Sequence, residues 1–294
     1  MEANHGAPFV ITTDSTADLP EEFCRENGIG VLFIPYTLDG VSYDQNSVNL
    51  PITEFYAKVR AGSMPQTAQI TPVQATAAFE EYLKAGKDVL HLSFSSALSG
   101  CYASCCLAAE ELKERYPERK IIVIDTLCAS LGEGLMVYYA RQRQKSGMGI
   151  DEVAQYVEDT KGHLCHYFTV DDLMHLYRGG RVSRTAAMAG SVLNIKPVLH
   201  VDDEGRLIPL YKVQGRKRSL KELVNNMVKL SGNWDNSVVF ISHGDCQQDA
   251  EYVRQMVMEK FPAAKTFIVN HIGVAVGTHS GPGTVALFFL GDAR

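Results

Sequence analysis

Three things this chain lacks remove whole classes of function. No stretch approaches the roughly 18 apolar residues of a membrane span, and the first residues show no basic segment leading into an apolar one, so a cytoplasmic protein is expected. Cysteines number seven, an odd count with no Cys-x-x-Cys spacing, which argues against a disulfide framework or a zinc site and predicts reduced thiols. Cys105 and Cys106, together on a predicted helix, read as core packing. A cationic excess is also missing: 28 Lys and Arg against 34 Asp and Glu leave a net charge of -6. Nucleic acid is therefore not an expected partner, and Arg216-Lys217-Arg218 reads as a solvated turn. No Gly-x-x-x-x-Gly-Lys-[Ser/Thr] loop appears, nor any internal repeat or low-complexity tract.

What is present is a chain of 294 residues, 46% hydrophobic and 21% charged, long enough to bury a sizeable core. Two domains are expected, 1–160 and 161–294, with a monomer as the default state. In the first half, short β-rich runs alternate with helical patterns: strands at 9–13, 31–35, 88–94 and 121–125, helices at 19–27, 51–61, 71–85 and 99–116. This order predicts an α/β domain with a mainly parallel sheet, whose ligands sit beyond the carboxyl ends of the strands. After Met148-Gly149 the rhythm changes. Helices are predicted at 151–161, 171–178, 183–193, 219–230 and 248–261, with strands at 165–170, 196–201, 207–213, 237–243, 266–269 and 284–290. The short link Asp202-Asp203-Glu204-Gly205 implies an antiparallel pair, so the second domain reads as α+β with a largely antiparallel sheet.

The chemistry concentrates in turns. Gly277-Thr278-His279-Ser280-Gly281-Pro282-Gly283 reads as a glycine-rich loop offering one imidazole and two hydroxyls to an anionic or carbonyl head group. Three hydroxyl-rich turns end strands of the parallel sheet: Thr13 to Thr16, Ser93 to Gly100, and Asp125-Thr126 leading to Ser130-Leu131-Gly132-Glu133-Gly134. The helix after Ser96 would present unpaired N–H groups to a carboxylate or phosphate. The plainer reading of each turn is a helix cap or turn former.

Taken together, six segments in this order resemble the DegV family of fatty-acid-binding proteins. They are Thr13 to Pro20, Ser95 to Gly100, Asp125-Thr126 with Gly132-Glu133-Gly134, Leu176 to Ser183, Asn194-Ile195-Lys196-Pro197, and Gly277 to Gly283. The resemblance spans nearly the whole chain. It implies one long-chain fatty acid held between the two domains, with no other cofactor and no metal. Where a fatty acid kinase exists, it also implies presentation of the carboxylate to a separate ATP-binding subunit, giving acyl-phosphate for phospholipid synthesis. The protein itself would be a carrier rather than an enzyme.

Carried onto this sequence, the resemblance places Thr67, Ser95 or Ser96, and His279 at the head group, with Gln69 supporting the Thr67 segment. Thr278 and Ser280 flank His279. Arg178 and Arg181 would place positive charge near the mouth, on the phosphate side, or fix loops by bidentate bonds. The family commonly has arginine where this chain has Gln214, and Arg216 is the candidate substitute. Ile70, Phe168, Met188, Val192 and Leu193 are candidates for the tail pocket, although each suits plain core as well. His243 follows a strand and is a weaker candidate for the interface. A tail of some fifteen carbons, at about 0.8 kcal/mol per methylene, would supply on the order of 10 kcal/mol before association costs, so the tail supplies affinity and the head supplies orientation. Two other classes are carried: a serine hydrolase using Ser96 or Ser99 with His279, and a lipid-sensing regulator. Ser-x-x-Ser-Gly is not a nucleophile elbow, which counts against the hydrolase.

Overall fold

The computed structural model describes residues 8–44, 46–47, 50–185 and 194–294. Of the tail-pocket candidates, Met188, Val192 and Leu193 lie outside them, as does most of the helix expected over 183–193.

The first half builds a four-stranded parallel sheet from β1 (Phe9–Asp14), β2 (Gly30–Leu32), β6 (Asp88–Ser93) and β7 (Ile121–Asp125), in the order β2-β1-β6-β7. β6 is buried along its whole length, as its unbroken Val-Leu-His-Leu run requires of a strand covered on both faces. The crossovers are α1 (Glu21–Asn27), α3 (Pro72–Lys84) and α4 (Cys101–Arg115). Gly28 closes α1 in the left-handed conformation, and Thr71 with Gln74 forms a capping box ahead of Pro72 on α3. The order reverses at β1, so the ends of β1 and β6 open a crevice between them.

Between β2 and α3 lies a small sheet that the sequence did not announce, of β3 (Tyr36–Leu38), β4 (Val41–Tyr43) and β5 (Gln66–Thr67). With α2 (Ile52–Arg60) it encloses a cluster of Tyr36, Leu38, Phe55, Tyr56 and Val59. α5 (Leu131–Lys145) and α6 (Ile150–Lys161) complete the first half. The segment Ser130 to Gly134, read as a turn, is in fact the entry into α5. Its glycines make room for neighbours: a Cβ on Gly132 would overlap the His166 ring, and one on Gly134 would stand 2.7 Å from the Ala17 carbonyl.

The second half forms a six-stranded sheet, β10-β9-β8-β13-β11-β12, from β8 (Leu164–Thr169), β9 (Ile195–Val201), β10 (Leu207–Gln214), β11 (Val238–His243), β12 (Thr266–His271) and β13 (Val285–Leu290). Every pair is antiparallel except β11 with β12. The β9–β10 turn is fixed by Asp202 Oδ1, which accepts the N–H groups of Glu204 and Arg206 at 3.1 and 2.8 Å. Pro209 is tolerated because β10 is an edge strand, and the register shifts just after it. The helices are α7 (Met174–Arg178), α8 (Arg216–Leu230), α9 (Gln247–Lys260) and α10 (Val274–Ser280).

α10 corrects the sequence reading. Thr278, His279 and Ser280 stand on the last turn of a helix, and the loop begins only at Gly281. The helical position of Gly277 is glycine because the Tyr56 hydroxyl lies 2.6 Å from where a Cβ would be. Among the described residues the largest buried cluster joins the two sheets, with Ile11, Leu90 and Leu92 on one side, Leu164, Phe168, Phe240 and Phe288 on the other, and α5 between. Among the described residues, no helix is long and apolar enough to cross a membrane.

Candidate functional site

A cavity of about 240 Å³ lies where the crevice of the parallel sheet faces the six-stranded sheet. One wall comes from segments following β1, β6 and β7: Thr16, Phe94, Leu98 to Gly100, and Ala129-Ser130. The other comes from alternate residues of β13 and β8, namely Ala286 with Phe288 and His166 with Phe168. Strand alternation puts these four on one face. Leu176, Val201, Leu207 and Val276 add to a mostly apolar lining.

One boundary of this chamber is polar. Thr67, Arg181 and His279 line both the cavity and a neighbouring pocket of about 360 Å³, which also touches Met64, His175, Arg178, Gly179 and Thr278. They form the partition between a greasy chamber and a polar vestibule. β5 presents Thr67 by pairing it with Tyr36, and α10 presents His279, so that Thr67 Oγ1 lies 2.8 Å from His279 Nε2. Burial, with the Arg181 charge second, pushes the His279 pKa down to about 4, so the imidazole is neutral at physiological pH. On its other side the ring abuts Gly179, where a Cβ would overlap Nδ1. Arg181 Nε and Nη2 donate to the Leu98 carbonyl at 3.1 and 2.9 Å, and Nη1 donates to the Gly179 carbonyl. Its guanidinium therefore ties the end of α7 to the turn before α4 while charging the partition. Ser280 also faces the cavity, and its Oγ is buried with no hydrogen-bond partner among the described residues.

The other expected residues are placed as follows. Ser95 is fully buried, its hydroxyl donating to the Gly205 carbonyl at 2.9 Å, and Ser96 is exposed. Neither lines the cavity, because α4 begins at Cys101 and it is Ser99 and Gly100 that face inward. Gln69 lines the cavity against Gly100, where a Cβ would overlap its amide. Thr278 donates to the Val274 carbonyl of its own helix at 2.8 Å and faces the vestibule. Arg178 is exposed there as well. Arg216 lies elsewhere: its Nε donates to Asp249 at 2.8 Å, and Nη1 stands 3.8 Å from Asp171. Phe168 lines the cavity, whereas Ile70 packs in the core beneath α3 and α4. The rings of His243 and His271 lie 4.3 Å apart, tilted by 55°, beside a separate surface pocket.

His166 was not singled out by sequence, while Gly179 and Ser130 appeared there only as members of motifs and Ser99 only as the hydrolase alternative. For His166 a signal existed, since it alternates with Cys165 and Tyr167 and so shares a face with Phe168. It is fully committed: Nδ1 faces the Leu164 carbonyl at 3.0 Å, and Nε2 accepts the Ala129 N–H at 3.2 Å.

Asp14, His91 and Cys105 have donor atoms within 4.8 Å of one another, buried under α4 away from the cavity. Thr12 Oγ1 is 3.0 Å from His91 Nδ1, and Asp14 Oδ1 is 3.4 Å from Nε2. Asp14 Oδ2 accepts the Phe94 N–H at 2.9 Å and the Ser93 hydroxyl at 3.1 Å, whereas Asp14 Oδ1 and His91 Nε2 face each other at ion-pair distance and neither has a hydrogen-bond partner among the described residues.

Residues 8–292 match the family described as "Uncharacterised protein, DegV family". The chain belongs to the DegV family. A DegV domain-containing protein of Clostridium perfringens is 48% identical over 287 residues, covering 97% of this chain and 98% of the relative. Among solved structures, a DegV family protein from Thermus thermophilus, described by its fatty acid binding, superposes with a TM-score of 0.87 at 30% identity, over 97% of this chain and 99% of that one. A fatty acid binding DegV family protein from Streptococcus agalactiae gives 0.82 at 28% identity, over 97% and 100%. Membership accounts for the mixed α/β architecture, a parallel sheet followed by a mostly antiparallel one.

Proposed function

We propose that this protein binds one long-chain fatty acid between its two halves, 1–160 and 161–294, and presents the carboxylate to a separate kinase subunit for acyl-phosphate formation. The observation that carries the reading is the partition: Thr67, Arg181 and His279 belong at once to an apolar chamber and to a polar vestibule. A tail in the chamber would leave water at about 0.8 kcal/mol per methylene, while its carboxylate stays at the partition, beside a guanidinium and within reach of hydroxyl donors. A neutral His279 that donates Nε2–H to Thr67 frees the threonine hydroxyl to donate to the ligand. Ser280 supplies a second buried donor in need of a partner.

Thr67, His279 and Ser280 are thus the proposed head-group set, with Arg181 supplying charge. Ser95 acts at one remove by holding Gly205, and the vestibule with Arg178 and Thr278 is where a phosphate would be delivered. Arg216, held between Asp249 and Asp171 away from the vestibule, is left out of this set. The carrier is read as cytoplasmic and monomeric. The hydrolase reading is weaker, because the partner the structure gives His279 is Thr67 rather than a serine, and Ser96 faces solvent.

Denaturing mass spectrometry of an organic extract from freshly purified protein tests the binding step. A long-chain fatty acid near one equivalent is expected, and recovery of a nucleotide or of no lipid would sink the reading. Adding ATP and a bacterial fatty acid kinase subunit to the loaded protein should then yield acyl-phosphate. Failure there removes the presentation step alone.

A further inference from the structure

Asp18 combines two costs that a protein does not bear idly. It adopts the left-handed conformation (φ 52°, ψ 22°) without being glycine, and it is only 6% exposed. Its carboxyl group lies at the join between the two halves. Oδ1 accepts the N–H of Gly273 at 2.8 Å, and Oδ2 lies 2.5 Å from Ser130 Oγ. Its main-chain oxygen accepts Asn270 Nδ2 at 2.8 Å. Gly273 is the N-cap of α10, and Asp18 Oδ1 stands 2.7 Å from where a Cβ there would be. The far end of the same helix carries His279 and Ser280.

We propose that Asp18 is the positioning residue of the head-group helix, pinning α10 as a neutral carboxylic acid and loosening it when ionised. The inference deepens the fatty-acid reading, since α10 carries the proposed head-group residues. Burial with no cationic partner among the described residues supports the neutral form, and the hydrogen bonds accommodate it. Ser130 has one hydroxyl proton but two close oxygens, Asp18 Oδ2 and Ser242 Oγ at 2.8 Å. If Asp18 carries a proton on Oδ2, it donates to Ser130, Ser130 donates to Ser242, and Oδ1 still accepts from Gly273. These contacts are then kept with no buried charge.

Burial raises the Asp18 pKa to about 7 despite the two hydrogen bonds that lower it, so both forms are present near neutrality. If α10 swings away, the carboxyl meets water and regains ordinary acidity. Rising pH therefore favours the loosened helix, by the same linkage that governs unfolding. The charged and titratable groups around the join are few. Tyr56 of α2 donates to the Ile272 carbonyl at 2.8 Å and stays neutral, because burial holds its pKa well up. Glu133 of α5, on the other side of the turn after β1, is likewise driven toward its acid form by burial and by Asp14. Beyond β11 and β12 stand His243, His271, Asp245 and Arg60, with His271 3.6 Å from Asp245 and Arg60 paired to it.

The test is hydrogen exchange at the amides of Gly277 to Ser280, corrected for intrinsic rates, at pH 6 and pH 8. Protection in the parent is expected to fall about tenfold over this range. Asp18→Asn mimics the acid, since its carbonyl accepts from Gly273 and its amide donates to Ser130, so its profile should be flat and its protection at pH 8 higher than the parent's. Palmitate should dissociate several-fold more slowly from Asp18→Asn than from the parent at pH 8, and this difference should vanish in a His279→Ala background. A parent whose protection is the same at both pH values overturns the proposal, even if the variant fails to fold. So does an Asp18→Asn protein that keeps the tenfold fall, or a dissociation effect that persists without His279. If palmitate binds the parent at neither pH, the fatty-acid reading falls while the exchange data still judge the pin.

Discussion

Replacing Gly179 by alanine probes the imidazole without touching it. Gly179 sits at φ −73° and ψ −9°, an ordinary right-handed conformation, so alanine costs nothing in the backbone. The obstacle is His279, whose Nδ1 would overlap the new methyl group. The ring must move away from Gly179, and the 2.8 Å contact between Nε2 and Thr67 cannot survive that displacement unchanged. Losing a hydrogen bond of this kind costs about 0.5–1.5 kcal/mol, and crowding adds about 1–3 kcal/mol if the ring cannot relax. Palmitate affinity should therefore drop about fivefold to thirtyfold, corresponding to roughly 1–2 kcal/mol. Hexadecanol, which shares the tail but lacks the carboxylate, should lose much less. Isothermal titration of delipidated protein with both ligands, beside a thermal melt, separates the effects. Palmitate affinity within twofold of the parent, or an equal loss for the two ligands, would refute the assignment of His279 to the head group.

Other consequences can be measured on the same preparation. Ser280→Ala removes a buried hydroxyl that has no partner, so the lipid-free protein should gain about 1 kcal/mol in denaturant unfolding while binding palmitate more weakly; a less stable variant would contradict this. His279 is held neutral by burial, with its pKa near 4 in place of 6.5, so its contribution to stability is present above pH 6.5 and lost as pH falls toward 4. The loss amounts to at most about 3 kcal/mol, and His279→Gln should accordingly gain on the parent in melting temperature between pH 7 and pH 4.5; parallel curves would count against it. Ala286→Leu places bulk on the sheet wall of the cavity and should weaken palmitate more than laurate, each displaced methylene being worth about 0.8 kcal/mol. An equal effect on both chains would mean that Ala286 does not face the tail.

Much of the scaffold could be read in the sequence because local chemistry and tertiary demand agree there. Ile121 to Asp125 is a strand with the expected bounds, α3 follows from Thr71, Pro72 and Gln74, and the β9–β10 hairpin follows from its short acidic turn. Where they disagree, the reading went wrong. Glycines at 132, 134 and 277 look like punctuation, yet all three lie inside helices, where glycine is required because a neighbour occupies the place of a Cβ, and such neighbours are invisible in one sequence. Strands of two or three residues, as in the small sheet that aims Thr67, are too short for any periodicity to register. At the site, Thr67 and His279 could each be named, but not their meeting across 212 positions. Ser95 and Ser96 illustrate the converse. Hydroxyls in a motif invite assignment to a ligand, whereas here one serves the backbone of Gly205 and the other faces solvent.

The cluster that unites the two sheets bears on how the molecule comes apart. Severing the chain near residue 161 would strip α5 of the strands β8, β11 and β13 on which it packs, leaving each fragment with a raw apolar flank in water. Neither piece is then expected to persist alone, and co-expressed fragments should find each other. On the proposed fatty-acid reading, the breathing that admits a lipid belongs at the rim of the chamber, around α10 and the Leu98 turn, while the two sheets stay welded behind it.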